Sequence, residues 1–211
     1  MQKVILFDFD GTIADSFASM VKIINILADK YKFKPLDMHE IDDLRHETIQ
    51  NLFKKLHVPF LKLPLLAKDT KALQMKEIPD IQPIDGIREA LLELEKAGYT
   101  LGILTSNGRG NVTEFLKKNN LDVFTYFSFD SSLFGKDKVL KRFLKKHKLT
   151  NDQVIYVGDE IRDVEASIRA GITMIAVAWG FNSKEGLVKY SPDYLIEKPE
   201  ELVQVLKKKS L

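Results

Sequence analysis

"VILFDFDGTIADS", residues 4–16, decides the fold. An unbroken apolar run ends in two carboxylates, Asp8 and Asp10, two positions apart. A short apolar run without alternation has the pattern of a strand buried on both faces, as in a parallel sheet. Carboxylates at the end of such a strand lose hydration and repel each other. Other parts of the chain must therefore compensate them.

Outward from this strand, "TLGILTS" (100–106), "FTYFSF" (124–129), "QVIYVGD" (153–159), "ITMIAVAW" (172–179) and "DYLIE" (193–197) read as further strands. Helical spacing fills the gaps: "DGIREALLELEKAGY" with Gly98 as its stop, "NVTEFLKKNNL", "KDKVLKRFLKKHKL", "IRDVEASIRAG" and residues 199–208. Strand–helix alternation of this kind implies right-handed crossovers and a doubly wound parallel sheet. Between Ser16 and about residue 81 only helical patterns occur: "FASMVKIINILADKY", "HETIQNLFKKL" and "AKDTKALQMKEI", with Pro35, Pro59 and Pro64 expected to break the region. The expected fold class is α/β, with residues 1–15 and 82–211 forming the sheet-based core and residues 16–81 an inserted all-helical cap.

The 211 residues are 45% hydrophobic and 29% charged, which suits a soluble globular chain with a real core. Net charge is +2, and the lysine pairs (Lys54-Lys55, Lys117-Lys118, Lys145-Lys146, and Lys207 to Lys209) are scattered over helical segments, which argues against a nucleic-acid face. The absence of cysteine excludes disulfides, thiolate metal sites and cysteine nucleophiles. No apolar stretch has the length of a signal segment or a membrane span, so the expectation is a cytoplasmic protein with no membrane partner. His39, His57 and His147 lack metal-ligand spacing and read as surface or packing residues, and Trp179 as core or interface.

In open parallel sheets ligands bind beyond the carboxyl ends of the strands. Those ends carry Asp8 and Asp10; Thr105, Ser106 and Asn107; and Asp159, Glu160 and Asp163, with Lys136 at a helix start between them. Several carboxylates on one rim call for a cation, and hard oxygen donors favour Mg²⁺. Hydroxyl, amide and ammonium donors around a free carboxylate suit phosphoryl transfer, where positioning and charge stabilisation dominate.

"FDFDGT" (7–12), "LTSN" (104–107), "GK" (135–136) and "VGDEIRD" (157–163) resemble, in order, the four signature motifs of the haloacid dehalogenase superfamily. The helical insertion resembles the cap of the subgroup that includes phosphoglycolate phosphatase and β-phosphoglucomutase. The resemblance covers almost the whole chain and implies a Rossmann-like core. It implies that Asp8 is the nucleophile and Asp10 the general acid and base. Mg²⁺ would lie on Asp8, the Asp10 backbone carbonyl and Asp159, with Asp163 assisting; Glu160 is either a contributor or an early helix residue. Thr105, Ser106 and Asn107 would donate to the phosphoryl group. Lys136 would pair with Asp8 and phosphate, but "GKDK" departs from the commoner "KP" form and leaves Lys138 as a rival. Arg45 and His46, within residues 42–50 of the cap, are the candidates to meet the leaving group. Gly11 suits a tight turn and Thr12 a helix cap. The implied activity is a Mg²⁺-dependent phosphatase for a small phosphorylated metabolite, acting through an aspartyl-phosphate as a monomer or small homo-oligomer. The alternatives are a phosphomutase and a non-catalytic phosphate-binding or regulatory protein on the same scaffold.

Overall fold

A computed structural model of the chain describes residues 3–37, 39–130 and 135–208; Lys209 of the last lysine run lies outside them. Six strands form one parallel sheet: β1 (Val4–Phe7), β2 (Thr100–Thr105), β3 (Phe124–Phe129), β4 (Val154–Gly158), β5 (Thr173–Val177) and β6 (Tyr194–Ile196). Their order is β3-β2-β1-β4-β5-β6. The chain winds outward from β1 in one direction and then, through β4, in the other, which opens a crevice between the carboxyl ends of β1 and β4.

Among the described residues, ten α-helices accompany the sheet. Four lie in the insertion: α1 (Phe17–Tyr31), α2 (Ile41–Leu44), α3 (Ile49–Lys55) and α4 (Leu63–Glu77). Six follow it: α5 (Ile87–Lys96), α6 (Arg109–Lys118), α7 (Lys136–His147), α8 (Ile161–Ala170), α9 (Lys184–Val188) and α10 (Glu201–Lys208). Alternate residues of β1 point to opposite faces, and both faces are covered. Ile5 and Phe7 pack among Leu91, Phe115 and Leu206 from α5, α6 and α10. Val4 and Leu6 pack among Leu140, Phe143 and Val164 from α7 and α8. This explains why all four residues of β1 are apolar and buried. No helix among the described residues is long and apolar enough to cross a membrane.

The cap helices have a small cluster of their own, Ile23, Leu27 and Leu66, with Tyr31, Phe33 and Leu73 packed against it. Two chain segments join cap to core, and they pair side by side: Asp15 N–H donates to Gln82 O at 2.9 Å and Ile84 N–H to Ile13 O at 2.9 Å. Two details differ from the sequence expectation. Pro64 does not break the chain but sits in the first turn of α4, which starts at Leu63 rather than 67. Proline is tolerated there because the first helical N–H groups have no intrahelical partner anyway. Short α9 was not expected; it is stopped from being a plain loop by Ser183, whose side chain accepts the Gly186 N–H at 3.1 Å.

Candidate active site

β1 delivers Asp8 to the crevice, where its N–H still donates to Val157 O at 2.8 Å. One carboxylate oxygen of Asp8 accepts the Phe9 N–H at 2.8 Å. The other accepts Lys136 Nζ at 2.7 Å. Lys136 also pairs with Asp163 and lies 5.2 Å from the centre of the Tyr156 ring. Burial alone would favour a neutral Lys136, but Asp163 and Asp8 outweigh it and raise its pKa above the ordinary lysine value. Lys138 is exposed, so Lys136 is the lysine that reaches Asp8.

Asp159, at the end of β4, is fully buried. It accepts Thr12 Oγ1–H and the Phe181 N–H, each at 2.7 Å. Space for this carboxylate exists because residues 11 and 180 lack side chains: a Cβ on Gly11, whose φ is +74°, or on Gly180 would overlap the Asp159 carboxylate. Asp163, on the first turn of α8, accepts the Glu160 N–H at 3.1 Å as well as Lys136. Asp8, Asp159 and Asp163 each present one carboxylate oxygen within 4.8 Å of the others. Burial, followed by the charges of Glu160, Asp8 and Asp163, pushes the Asp159 pKa well above the usual carboxylate range. Burial pushes Asp163 up as well, against the pull of Lys136. One lysine facing three buried acids leaves negative charge uncompensated. A compact set of oxygen donors with that excess fits a hard divalent cation.

The Asp10 side chain stands apart from this trio and accepts Asn107 Nδ2 at 2.9 Å. Asn107 is pinned in turn: its Oδ1 accepts Gly108 N–H at 2.7 Å and Asn111 Nδ2 at 2.8 Å. The sequence suggested Asn107 as a phosphate donor, whereas its amide here is committed to Asp10. Burial and then the Asp8 charge push the Asp10 carboxyl up to about 6, against the Asn107 hydrogen bond. Thr105 is buried at the end of β2, and its Oγ1 accepts the Asn107 N–H at 3.0 Å, leaving the hydroxyl proton free to donate. Ser106 and Asp10 line the floor of a cavity of about 230 Å³ that rises into the cap.

Arg45 and His46 also bond to the loop after β5. Arg45 Nε donates to Phe181 O at 3.1 Å and Nη2 to Gly180 O at 2.8 Å, with the guanidinium 5.1 Å from the Phe17 ring centre. His46 Nδ1 meets Ser183 Oγ at 2.5 Å. Asn182 completes the fastening: its Nδ2 donates to Arg45 O at 2.8 Å and Glu47 O at 3.0 Å, while its Oδ1 accepts the Ile161 N–H at 2.8 Å. Two of the five guanidinium N–H groups of Arg45 are thus met by backbone carbonyls, so this pair ties the cap to the loop after β5 while Arg45 also lines the cavity above Asp10. That loop also supplies the Phe181 N–H that holds Asp159. Glu160 heads α8 in a reciprocal capping box with Asp163 and pairs with Arg162. Sequence reasoning passed over Arg162 and Asn182 and read Trp179 only as core or interface. Trp179 Nε1 donates to Thr12 O at 3.2 Å, tying the loop after β5 to the turn after β1. Trp179 and Asn182 follow a strand end, so the same carboxyl-edge rule that found Asp159 had marked their region.

A model of the family described as haloacid dehalogenase-like hydrolase matches residues 5–177. Among curated relatives, a phosphoglycolate phosphatase from Synechococcus elongatus is 32% identical over 206 residues, spanning 97% of each chain. Pyrophosphatase PpaX from Bacillus velezensis is 28% identical over 95% of this chain and 94% of its own. Among solved structures, a haloacid dehalogenase-like family hydrolase from Streptococcus pneumoniae has the same fold with a TM-score of 0.80 at 24% identity, over 97% of this chain and 98% of that one. The crevice between β1 and β4, the order of the motifs and these matches agree: the chain belongs to the haloacid dehalogenase-like hydrolase family.

Proposed function

We propose that this enzyme is a Mg²⁺-dependent phosphatase that hydrolyses a small phosphorylated metabolite through a phosphoryl-Asp8 intermediate. The observation that carries this is the setting of Asp8: a buried carboxylate, oriented by Phe9 N–H and Lys136, beside Asp159 and Asp163 at the crevice. An Asp8 oxygen attacks phosphorus as the bond to the leaving oxygen breaks, and Asp10 gives that oxygen its proton. Asp10 then takes a proton from the water that attacks the phosphoryl group on Asp8. A carboxyl raised to about 6 can hold a proton near neutrality, as a general acid requires. Thr105 Oγ and Ser106 donate to the phosphoryl oxygens, and Asn107 keeps Asp10 in place. Asp8, Asp159 and the Asp10 carbonyl would hold the Mg²⁺, with Asp163 fixing Lys136 beside it. When bound, the ion neutralises charge on the phosphoryl oxygens.

The relatives named phosphoglycolate phosphatase make phosphoglycolate the first substrate to assay. A phosphomutase needs a second phosphate site in the cap, and the mainly apolar cavity wall disfavours it. We place the enzyme in the cytoplasm, as a monomer or small homo-oligomer acting on a small-molecule phosphoester without nucleic-acid partners. The test is phosphate release from a panel of phosphomonoesters with Mg²⁺ and with EDTA. Turnover that EDTA abolishes and Mg²⁺ restores is expected. Undiminished turnover after exhaustive chelation, or none on any monoester, rejects the proposal.

A further inference from the structure

The link between α3 and α4 carries an apolar tip that catalysis does not use. In "VPFLKLPLL" (58–66), Phe60 is 78% exposed, Leu61 90% and Leu65 53%, while their neighbours Leu63 and Leu66 turn inward and line the cavity above Asp10. A short 3₁₀ turn, Phe60–Lys62, runs directly into α4, so Leu61, Leu65 and Lys68 recur at helical spacing on one face. Pro59 precedes the turn and Pro64 stands in the first turn of α4. Two prolines restrain the backbone, so little ordering entropy is lost when the tip docks on a surface. A side chain that is 90% exposed has no protein wall beside it, so the tip is convex and offers no groove for a peptide.

The charge in this part of the cap has one sign. Residues 54–71 hold five lysines and one acid, Asp69, which already pairs with Lys30. Lys55 is matched by Glu47. Lys54, at the end of α3, and Lys62 and Lys68, on the stretch that bears the tip, are exposed and make no ion pair among the described residues; Lys62 donates to Tyr31 O at 3.3 Å. A second copy of the chain docked tip to tip would set these lysines against their own kind, which like-charge repulsion disfavours. An anionic surface satisfies them instead. Large apolar side chains beside lysines suit a bilayer surface, where hydrocarbon enters below the headgroups and the ammonium groups stay at the phosphates. Such seating needs no spanning helix, so the lack of one among the described residues does not bear on it.

We propose that the tip formed by Phe60, Leu61 and Leu65 seats the cap on an anionic lipid bilayer, with Lys54, Lys62 and Lys68 at the lipid phosphates. An enzyme in the cytoplasm meets the leaflet that carries anionic lipid. The chain has no cysteine, so Leu61→Cys takes a single environment-sensitive fluorophore. Its emission shifts to the blue with vesicles of phosphatidylcholine and phosphatidylglycerol, whereas the same label at Glu95→Cys, exposed on α5, does not respond. In co-sedimentation of the unlabelled enzyme, phosphatidylglycerol raises the partition coefficient roughly tenfold or more over phosphatidylcholine alone, and added salt reverses the gain. Phe60→Ser with Leu61→Ser lowers the coefficient by roughly tenfold. Lys54→Gln, Lys62→Gln and Lys68→Gln each lower it about fivefold. The fluorophore at one exposed position keeps the proposal testable if the double serine variant fails to fold.

These measurements read binding, so they stand apart from the phosphatase assays. No partition onto phosphatidylglycerol vesicles at low salt overturns the proposal. Partition that the serine pair leaves unchanged, with no blue shift at position 61, means that charge alone holds the protein and also overturns it. An enzyme that is dimeric by analytical ultracentrifugation and becomes monomeric with the serine pair has its tip covered by a second copy, which overturns it as well.

Discussion

All six carboxylate oxygens of Asp8, Asp159 and Asp163 have a donor: two backbone N–H groups from their own turns, the Phe181 N–H, the Thr12 hydroxyl and Lys136 twice. The cap above them is built differently. Its buried apolar cluster is three residues, Gln74 has no partner among the described residues, and Phe60 and Leu61 are 78% and 90% exposed. At the rim, bonds fix each atom, so a change of one atom should be felt. In the cap, shape and area decide, so single contacts matter less and the space is available for choosing a substrate.

The largest effect should come from the rim. Asp8→Asn keeps the shape of the side chain but removes the attacking oxygen and the charge that pairs with Lys136. On the proposed chemistry, turnover of para-nitrophenyl phosphate with Mg²⁺ falls by at least roughly 10³-fold while far-UV circular dichroism is unchanged. Unchanged turnover by a homogeneous sample would remove Asp8 as nucleophile. The cap counterpart, Leu61→Ser, alters the most exposed large apolar side chain among the described residues and should leave turnover and stability within about 0.5 kcal/mol.

A smaller loss follows from crowding Asp159. Gly180→Ala puts a methyl where the Asp159 carboxylate lies, and rearranging a bonded, fully buried acid is harder than shifting an apolar chain. Overpacking of this kind costs up to about 3 kcal/mol. With about 2–4 °C per kcal/mol for a chain of this size, thermal unfolding should move down by up to roughly 6–12 °C. An unshifted melting temperature would mean that the rim has slack, and the contrast with the cap would weaken.

The rim was legible in the sequence for the same reason that it is intolerant. Carboxylates at the ends of apolar runs are expensive anywhere else, so Asp8 and Asp159 announced themselves, and the alternating pattern placed their strands side by side; Asp163, on a helix, was reached through the motif it shares with Asp159. What could not be read depends on contacts made far along the chain. Lys136 and Lys138 stand equally well at a helix start, and only the position of α7 against β1 sends the first to Asp8. Arg45 could be placed in the cap, but whether its guanidinium faces a ligand or a carbonyl is decided by a loop 135 residues away. One-turn α9 has too few residues to show a helical period. Gln74 sits in an ordinary helical pattern, and its lack of a partner is a property of the assembled cavity.

Asn182 joins the two regions and should give an intermediate effect. Asn182→Ala deprives the Ile161 N–H of its acceptor and the carbonyls of Arg45 and Glu47 of a donor. Leaving such groups unsatisfied costs about 2 kcal/mol in total if water relieves part of the loss. The cap should also loosen, and hydrogen exchange at residues 45–47 is the measurement that shows it. Protection equal to the parent there would mean that Arg45 and His46 hold the cap without Asn182.

The smallest effect asks whether counter-charge, rather than burial, is what distinguishes the rim, and the two ends of α7 answer it. Lys136 at the rim keeps its charge because Asp163 and Asp8 outweigh burial. His147 at the other end is tilted against Tyr126 and Phe143, with ring centres 4.6 and 4.5 Å away. Desolvation, aided by Lys146, lowers its pKa below the ordinary 6.5. The folded state therefore disfavours imidazolium relative to the unfolded chain. Its contribution to stability is complete above about pH 6.5 and is lost as pH falls through the lowered folded-state value. An NMR titration of the His147 ring should give a midpoint below 6.5, and His147→Phe should flatten the fall in melting temperature over that acid window. A midpoint at or above 6.5 would mean that an aromatic flank costs a cation nothing here, and the carboxylates around Lys136 could then no longer be credited with reversing a penalty.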